Sequence, residues 1–203
     1  MKCLLDIHTH RIPERENVVA VINQFPLTAD VSRPFSVGIH PCFVTENDWQ
    51  IQWEALQKTV LSPNCVAIGE CGLDKNATIS WQLQERIFGL HIRLSEEMQK
   101  PLIIHCVKAF GEIISFRKKT KPTQIWILHG FRKNMQVAQN MIDNGIKLSF
   151  GKALLTDIRL QEIFKNLPDG SFFLETDDAG VSIEEIYQKA ASLRDFDFEN
   201  FKL

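Results

Sequence analysis

The stretch VAIGECGLDKNATISWQLQERIFGLHIRLSEEMQKPLIIH, residues 66–105, decides the reading of the fold. It opens on an apolar run, Val66–Gly69, that halts at Glu70. An amphipathic pattern follows over Trp81–Gln99, with Leu83, Ile87, Leu90 and Leu94 on one helical face. A second apolar run, Leu102–Ile104, then halts at His105. Near-continuous apolar strands belong to sheets covered on both faces. Strand, helix and strand in succession are the repeating unit of a parallel sheet.

The same rhythm extends in both directions. Further strands are predicted at Cys3–Ile7, Val18–Ile22, Phe35–Ile39, Ile125–Leu128, Ile146–Phe150 and Phe172–Leu174, making eight in all. Further helices are predicted at Asp48–Leu61, Phe110–Lys119, Met135–Asn144, Leu155–Leu167 and Ile183–Leu193. Eight strands alternating with helices predict a (β/α)8 TIM-type barrel. At 203 residues it falls below the ~250 usual for that fold. It is therefore expected to be distorted and trimmed, as a single domain over residues 1–203. The trimming is expected around strands 1 to 3, because His8–Asn17 and Gln24–Pro34 are too short for ordinary crossover helices. The charged and aromatic tail, Arg194–Leu203, fits no element.

Composition bounds the function. Hydrophobic residues make up 44% and charged residues 24%, with a formal net charge of -2. These are figures of an ordinary globular protein and exclude a disordered or strongly basic coat protein. No apolar run reaches the ~18 residues needed to span a bilayer, so no membrane partner is expected. Met1-Lys2-Cys3 runs at once into Leu4, Leu5 and Asp6, which is not the pattern of a secretion signal. The five cysteines are odd in number and widely spaced, which fits a reducing cytoplasm.

Polar residues collect at the strand ends. His8 and His10 end strand 1, His40 strand 3, Glu70 strand 4, His105 strand 5, His129 strand 6 and Asp177 strand 8. In a barrel these ends meet on one face. Imidazoles and carboxylates gathered at one mouth are a ligand set for a metal. The spacing of His8 and His10 sends both imidazoles to the same side of a strand. Any one of these histidines alone reads more readily as a hydrogen-bonded structural residue, and Glu70 alone as a surface carboxylate; it is the joint pattern that points to a metal. Cys71 and Cys106 neighbour Glu70 and His105 but point the opposite way, and read as small core residues. His91, in mid-helix, reads as packing or as support for the site.

Six motifs resemble, in order, those of TatD-type metal-dependent hydrolases, a family of amidohydrolase-like barrels. They are Asp6-Ile7-His8-Thr9-His10, Gly38-Ile39-His40-Pro41, Gly69-Glu70-Cys71-Gly72-Leu73-Asp74, Pro101-Leu102-Ile103-Ile104-His105, His129-Gly130-Phe131 and Glu175-Thr176-Asp177. The resemblance covers residues 1 to about 180. It implies two divalent metal ions, Zn2+, Mn2+ or Mg2+. His8, His10 and Asp177 would hold one, His105 and His129 the other, with Glu70 bridging. It also implies hydrolysis of phosphodiester bonds by a DNase of the 3′–5′ exonuclease type. Asp177 would be the base and His40 a hydrogen-bond donor to substrate or leaving oxygen. DNA or another phosphoester is then the partner of a cytoplasmic monomer with no obligate protein partner.

Departures from the family are equally specific. Where it has Ser-Arg-Asp-Ala after the strand 5 histidine, this chain has Cys106-Val107-Lys108-Ala109. Val107 stands where the family has its bidentate arginine, and Lys108, one position later, offers only a point charge and becomes the expected substrate-binding cation. Arg11, Lys75, Arg132, Lys133 and Lys152 are further candidates for a phosphate-attracting rim. Two other readings stay open: a two-metal hydrolase of an amide, lactone or other small-molecule ester, and a metal-binding protein without activity.

Overall fold

In the computed structural model, which describes residues 3–13 and 15–195, eight strands form one parallel sheet in sequence order. They are β1 Leu4–Thr9, β2 Val18–Gln24, β3 Phe35–Val37, β4 Cys65–Asp74, β5 Leu102–Val107, β6 Trp126–Leu128, β7 Ile146–Phe150 and β8 Phe172–Leu174. The sheet curls until Thr9, at the end of β1, bridges to Asp177 beyond β8. Seven helices cover it among the described residues: α1 Trp49–Thr59, α2 Trp81–Met98, α3 Phe110–Thr120, α4 Met135–Asp143, α5 Ala153–Thr156, α6 Ile158–Lys165 and α7 Ile183–Leu193. Among the described residues, no helix stands between β1 and β2 or between β2 and β3, which is the trimming the short connections require. Most of the tail, residues 196–203, lies outside the described residues.

Two apolar layers hold this architecture. The outer one packs the helices on the sheet, joining Leu83, Ile87 and Phe88 of α2 to Ile68, Leu102 and Ile104. The inner one fills the barrel with Ile7, Val21, Ala67, Ile103, Ile127 and Phe173, one from each of six strands. Small eight-stranded barrels are filled by side chains in this way. Strand side chains alternate, so the residue two further on shares the inner face. On β2 and β5 and just beyond β6 and β8 those residues are Asn23, His105, His129 and Glu175. The apolar layer therefore forms the floor on which a polar layer stands.

Several boundaries differ from the sequence reading. The predicted strand 4, Val66–Gly69, continues to Asp74 because Cys71–Asp74 pair with Ile104–Val107 of β5. Register shifts between Ile68 and Cys71, at the point where Ala67 faces inward and Glu70 must do so as well. Gly69 and Gly72 make that path feasible. A Cβ on Gly69 would lie 2.3 Å from the Ile103 carbonyl oxygen, and one on Gly72 2.0 Å from that of His105. Both glycines adopt positive φ, 129° and 149°. Strand 3 ends at Val37 rather than Ile39, since the Ile39 N–H is taken by His91 of α2. The predicted helix Leu155–Leu167 is two helices, because Asp157 caps α6 by accepting from the amides of Arg159 and Leu160.

The five cysteines are free. Cys71 and Cys106 pack with the outer apolar layer, away from Glu70 and His105. Among the described residues, no helix is long and apolar enough to cross a membrane.

Candidate metal centre

Glu70 lies at the centre of the mouth. Burial alone would push its carboxyl up, but His129, His105 and His40 overturn that and hold it well below the usual carboxylate range. Its two oxygens face different groups. Oε2 lies 3.5 Å from His8 Nε2 and 3.9 Å from His10 Nε2. Oε1 lies 2.7 Å from His129 Nε2, 2.9 Å from His105 Nδ1 and 3.1 Å from His40 Nε2. Its backbone N–H donates to Asn23 Oδ1 at 3.0 Å, which fixes the carboxylate's root to β2.

Asp177 completes the ring. Its Oδ1 lies 3.6 Å from His8 Nε2 and 3.5 Å from His10 Nε2. The residue sits at φ 55°, in the left-handed region that aspartate tolerates better than most side chains. It is pinned there by both of its backbone groups. The Asp177 N–H donates to the His8 carbonyl at 2.9 Å, and the His10 N–H to the Asp177 carbonyl at 3.1 Å. The seam that closes the barrel thus places three of the expected ligands together. One turn deeper, Asp6 accepts from the N–H and hydroxyl of Thr176. Burial pushes the Asp6 carboxyl up to about 7 against those hydrogen bonds.

The donor set fits divalent cations. Two ligands on one tetrahedral zinc-like ion stand about 3.3 Å apart, given bonds of ~2.0–2.1 Å. The separations around His8, His10, Asp177 and Glu70 Oε2 lie close to that, as does the 3.5 Å between His129 Nε2 and His105 Nδ1. His8 is fully buried, and neither ring nitrogen has a hydrogen-bond partner. Burying such a group unpaired is costly, and a cation at Nε2 would remove the cost. Two sets, His8 with His10 and Asp177, and His8 with Glu70 and His129, can each converge on one ion, as can His40 with Glu70 and His105.

The supporting residues were only partly legible. Asp74 Oδ2 lies 3.0 Å from His105 Nε2, so it orients the ring and leaves Nδ1 for the centre, as carboxylates behind ligating histidines do. It falls on the same strand face as Glu70, four residues on, and even spacing was the signal. Glu175 stands behind His129, 3.8 Å from Nδ1, and accepts from the Gly130 N–H at 2.7 Å. Cys42 had no such signal; its thiol donates to Asp74 Oδ2 at 3.4 Å, and burial pushes it up to about 11.

His91 supports the centre and is not part of it. Its Nε2 accepts from the Ile39 N–H at 3.0 Å and its Nδ1 lies 2.8 Å from the Ile87 carbonyl. These partners specify the neutral ring with the proton on Nδ1. Burial pushes His91 down to about 4. Next to it in space, His40 Nδ1 accepts from the Cys42 N–H at 3.0 Å, which leaves Nε2–H directed at Glu70.

Cations stand around the mouth at different depths. Arg132 and Lys133 line a cavity of about 460 Å³ together with His105, His129 and Asp177. Lys108 is exposed on the loop after β5, at φ 56°. Its ammonium donates to Asn76 Oδ1 at 3.2 Å. Lys75 is engaged by Glu112 at 2.6 Å. Arg11 lines a separate cavity beside the start of α7.

Comparison with known proteins gives the chain's relatives and its fold. The chain is 29% identical over 171 residues to a 3′–5′ ssDNA/RNA exonuclease TatD of Citrobacter koseri, covering 78% of this chain and 63% of that one. It is 32% identical over 151 residues to an uncharacterized metal-dependent hydrolase of Buchnera aphidicola, covering 72% and 56%. The chain thus spans about six-tenths of the length of these curated relatives. The crystal structure of the TatD homologue YjjV from Escherichia coli superposes with a TM-score of 0.78 at 18% identity, covering 97% of this chain and 92% of that one. A TatD family hydrolase from Entamoeba histolytica gives 0.73 at 15% identity, covering 98% and 94%. A family model described as TatD related DNase matches residues 6–192, from the strand that carries His8 to the last described helix, and the chain belongs to that family.

Proposed function

We propose that the protein is a two-metal hydrolase of phosphodiester bonds, acting on single-stranded DNA ends as a 3′–5′ exonuclease. The observation that carries this reading is Glu70: one carboxylate whose two oxygens face two separate groups of donors at the open end of the barrel. His10 and Asp177 keep side-chain exposures of 31% and 28%, so the centre is open on one side to substrate. A closed four-ligand structural site has no such opening. Two divalent cations, Zn2+, Mn2+ or Mg2+, when bound, supply the Lewis acidity that makes water nucleophilic near neutral pH and offsets phosphate charge.

The chain's own groups do the rest. His8, His10 and Asp177 would hold one ion and His105 and His129 the other, with Glu70 offering an oxygen to each group. The Asp177 carboxylate accepts the proton of the attacking water. His40, whose Nε2–H faces Glu70 at 3.1 Å, would turn that donor to a substrate or leaving oxygen. Arg132 and Lys133 draw the phosphate into the cavity, and Lys108 adds a salt-sensitive contact at the rim. The relative from Citrobacter koseri is named for single-stranded exonuclease activity, which supports this substrate. The free cysteines support a reducing cytoplasm, and a single chain as monomer supplies every residue of the centre.

The test is a panel of single-stranded and duplex DNA, RNA, phosphomonoesters, amides and lactones, run on protein whose metals have been quantified. Stepwise loss of nucleotides from a 3′ end, with two ions per chain, is the expected result. Turnover confined to amides or lactones would overturn it.

A further inference from the structure

The second and third strands deliver two aromatic rings to the mouth that the chemistry above leaves unused. Phe43, in the turn after β3, has 62% of its surface exposed. Isolated exposed apolar residues need no explanation, but this one is held and oriented. Its N–H donates to the His40 carbonyl at 3.0 Å. Its own carbonyl accepts from Gln52 Nε2 of α1 at 3.0 Å, and Gln52 is buried for that purpose. Val44, next in the chain, is anchored in the core. Phe25, just past β2, meets the Phe43 ring edge to face, with centroids 5.4 Å apart.

The ring's position gives it meaning. The Phe43 and His40 centroids are 5.0 Å apart, and the His40 and His105 centroids 4.2 Å. Phe43 therefore stands one ring away from the donors that surround Glu70. On the β5–β6 side of the mouth, Arg132 and Lys133 line the cavity. An aromatic face on one side and cations on the other, with the centre between them, is the arrangement that binds single-stranded nucleic acid. Bases stack on aromatic faces with little regard to sequence while cations follow the backbone. A duplex keeps its bases paired and its internal bases stacked on each other, so none is free to splay onto a side chain.

We propose that Phe43, braced by Phe25, is the stacking platform for an unpaired nucleobase flanking the scissile phosphate, and that it selects single-stranded over duplex substrates. This rests on the phosphodiester reading above and adds to it the group that recognises a base. Phe43 acts on binding, and no bond is made or broken at it.

The test is equilibrium binding of a short fluorescent single strand, its 3′-terminal linkages replaced by phosphorothioates to block turnover, to the metal-loaded protein. Phe43→Ala should weaken binding about tenfold, as expected for one lost stack. Phe43→Trp should restore it. Removing the two terminal bases to leave abasic sugars should weaken binding to the unmodified protein by the same factor, and should add no further loss in Phe43→Ala. Equal affinities for the unmodified protein and Phe43→Ala would overturn the proposal. So would an abasic penalty of the same size in both, or no binding by the unmodified protein. Binding with the expected pattern but no hydrolysis of any strand would overturn the hydrolytic reading alone.

Discussion

Acid should unfold this protein through His91, in a way that one substitution removes. The buried ring is neutral, donating from Nδ1 to the Ile87 carbonyl and accepting at Nε2 from the Ile39 N–H. Its folded value lies at about 4, against 6.5 for a free histidine. Between those values the unfolded chain binds more protons than the folded one. Stability is therefore fully present above the free value and is lost as pH falls through the window. The gap amounts to about 3 kcal/mol when complete, of which about 2 kcal/mol is lost by pH 5. A glutamine at this position offers an amide donor and an oxygen acceptor and does not titrate. In His91→Gln, urea unfolding followed at pH 7 and pH 5 should lose about 2 kcal/mol less between the two than in the parent. Both proteins are measured in chelator, so that proton competition for metal ligands is shared by both. Parallel pH profiles would refute the reasoning, because the remaining titrating groups of the mouth are common to the two proteins.

Three further outcomes concern the centre. Glu70→Ala removes the group that faces both donor sets; metal analysis should fall from two ions toward one or none, and hydrolysis should drop by orders of magnitude, whereas two ions with full turnover would contradict a bridging role. Asp177→Asn keeps size and a coordinating oxygen but is a far weaker base. Steady-state kinetics should show a large loss in kcat with less change in KM, and a near-normal kcat would remove Asp177 as the base. Lys108→Ala should raise KM for an oligonucleotide and lower the salt slope by about one unit with metal content unchanged; identical slopes for the two proteins would leave the cationic role to Arg132 and Lys133.

Much of the barrel was legible because its signal is local. Apolar runs such as Leu102–Ile104 and Ile146–Phe150 can satisfy their backbones and bury both faces only in a covered parallel sheet. Polar residues ending such runs then fall at the mouth by topology alone, which is why His105, His129 and Glu70 could be grouped before any distance was known. The short segments after β1 and β2 likewise left no length for helices. What the sequence could not specify depends on backbone register and on partners far along the chain. β4 extends to Asp74 because β5 pairs with it, and only that pairing puts Asp74 behind His105. β3 stops at Val37 because a helix fifty-two residues further on claims the Ile39 amide. Asp177 reaches His8 and His10 because the barrel closes at that residue. The composition of the centre thus follows from the order of residues along each strand. Its geometry and the two faces of Glu70 follow from closure, which exists only once all eight strands are in place.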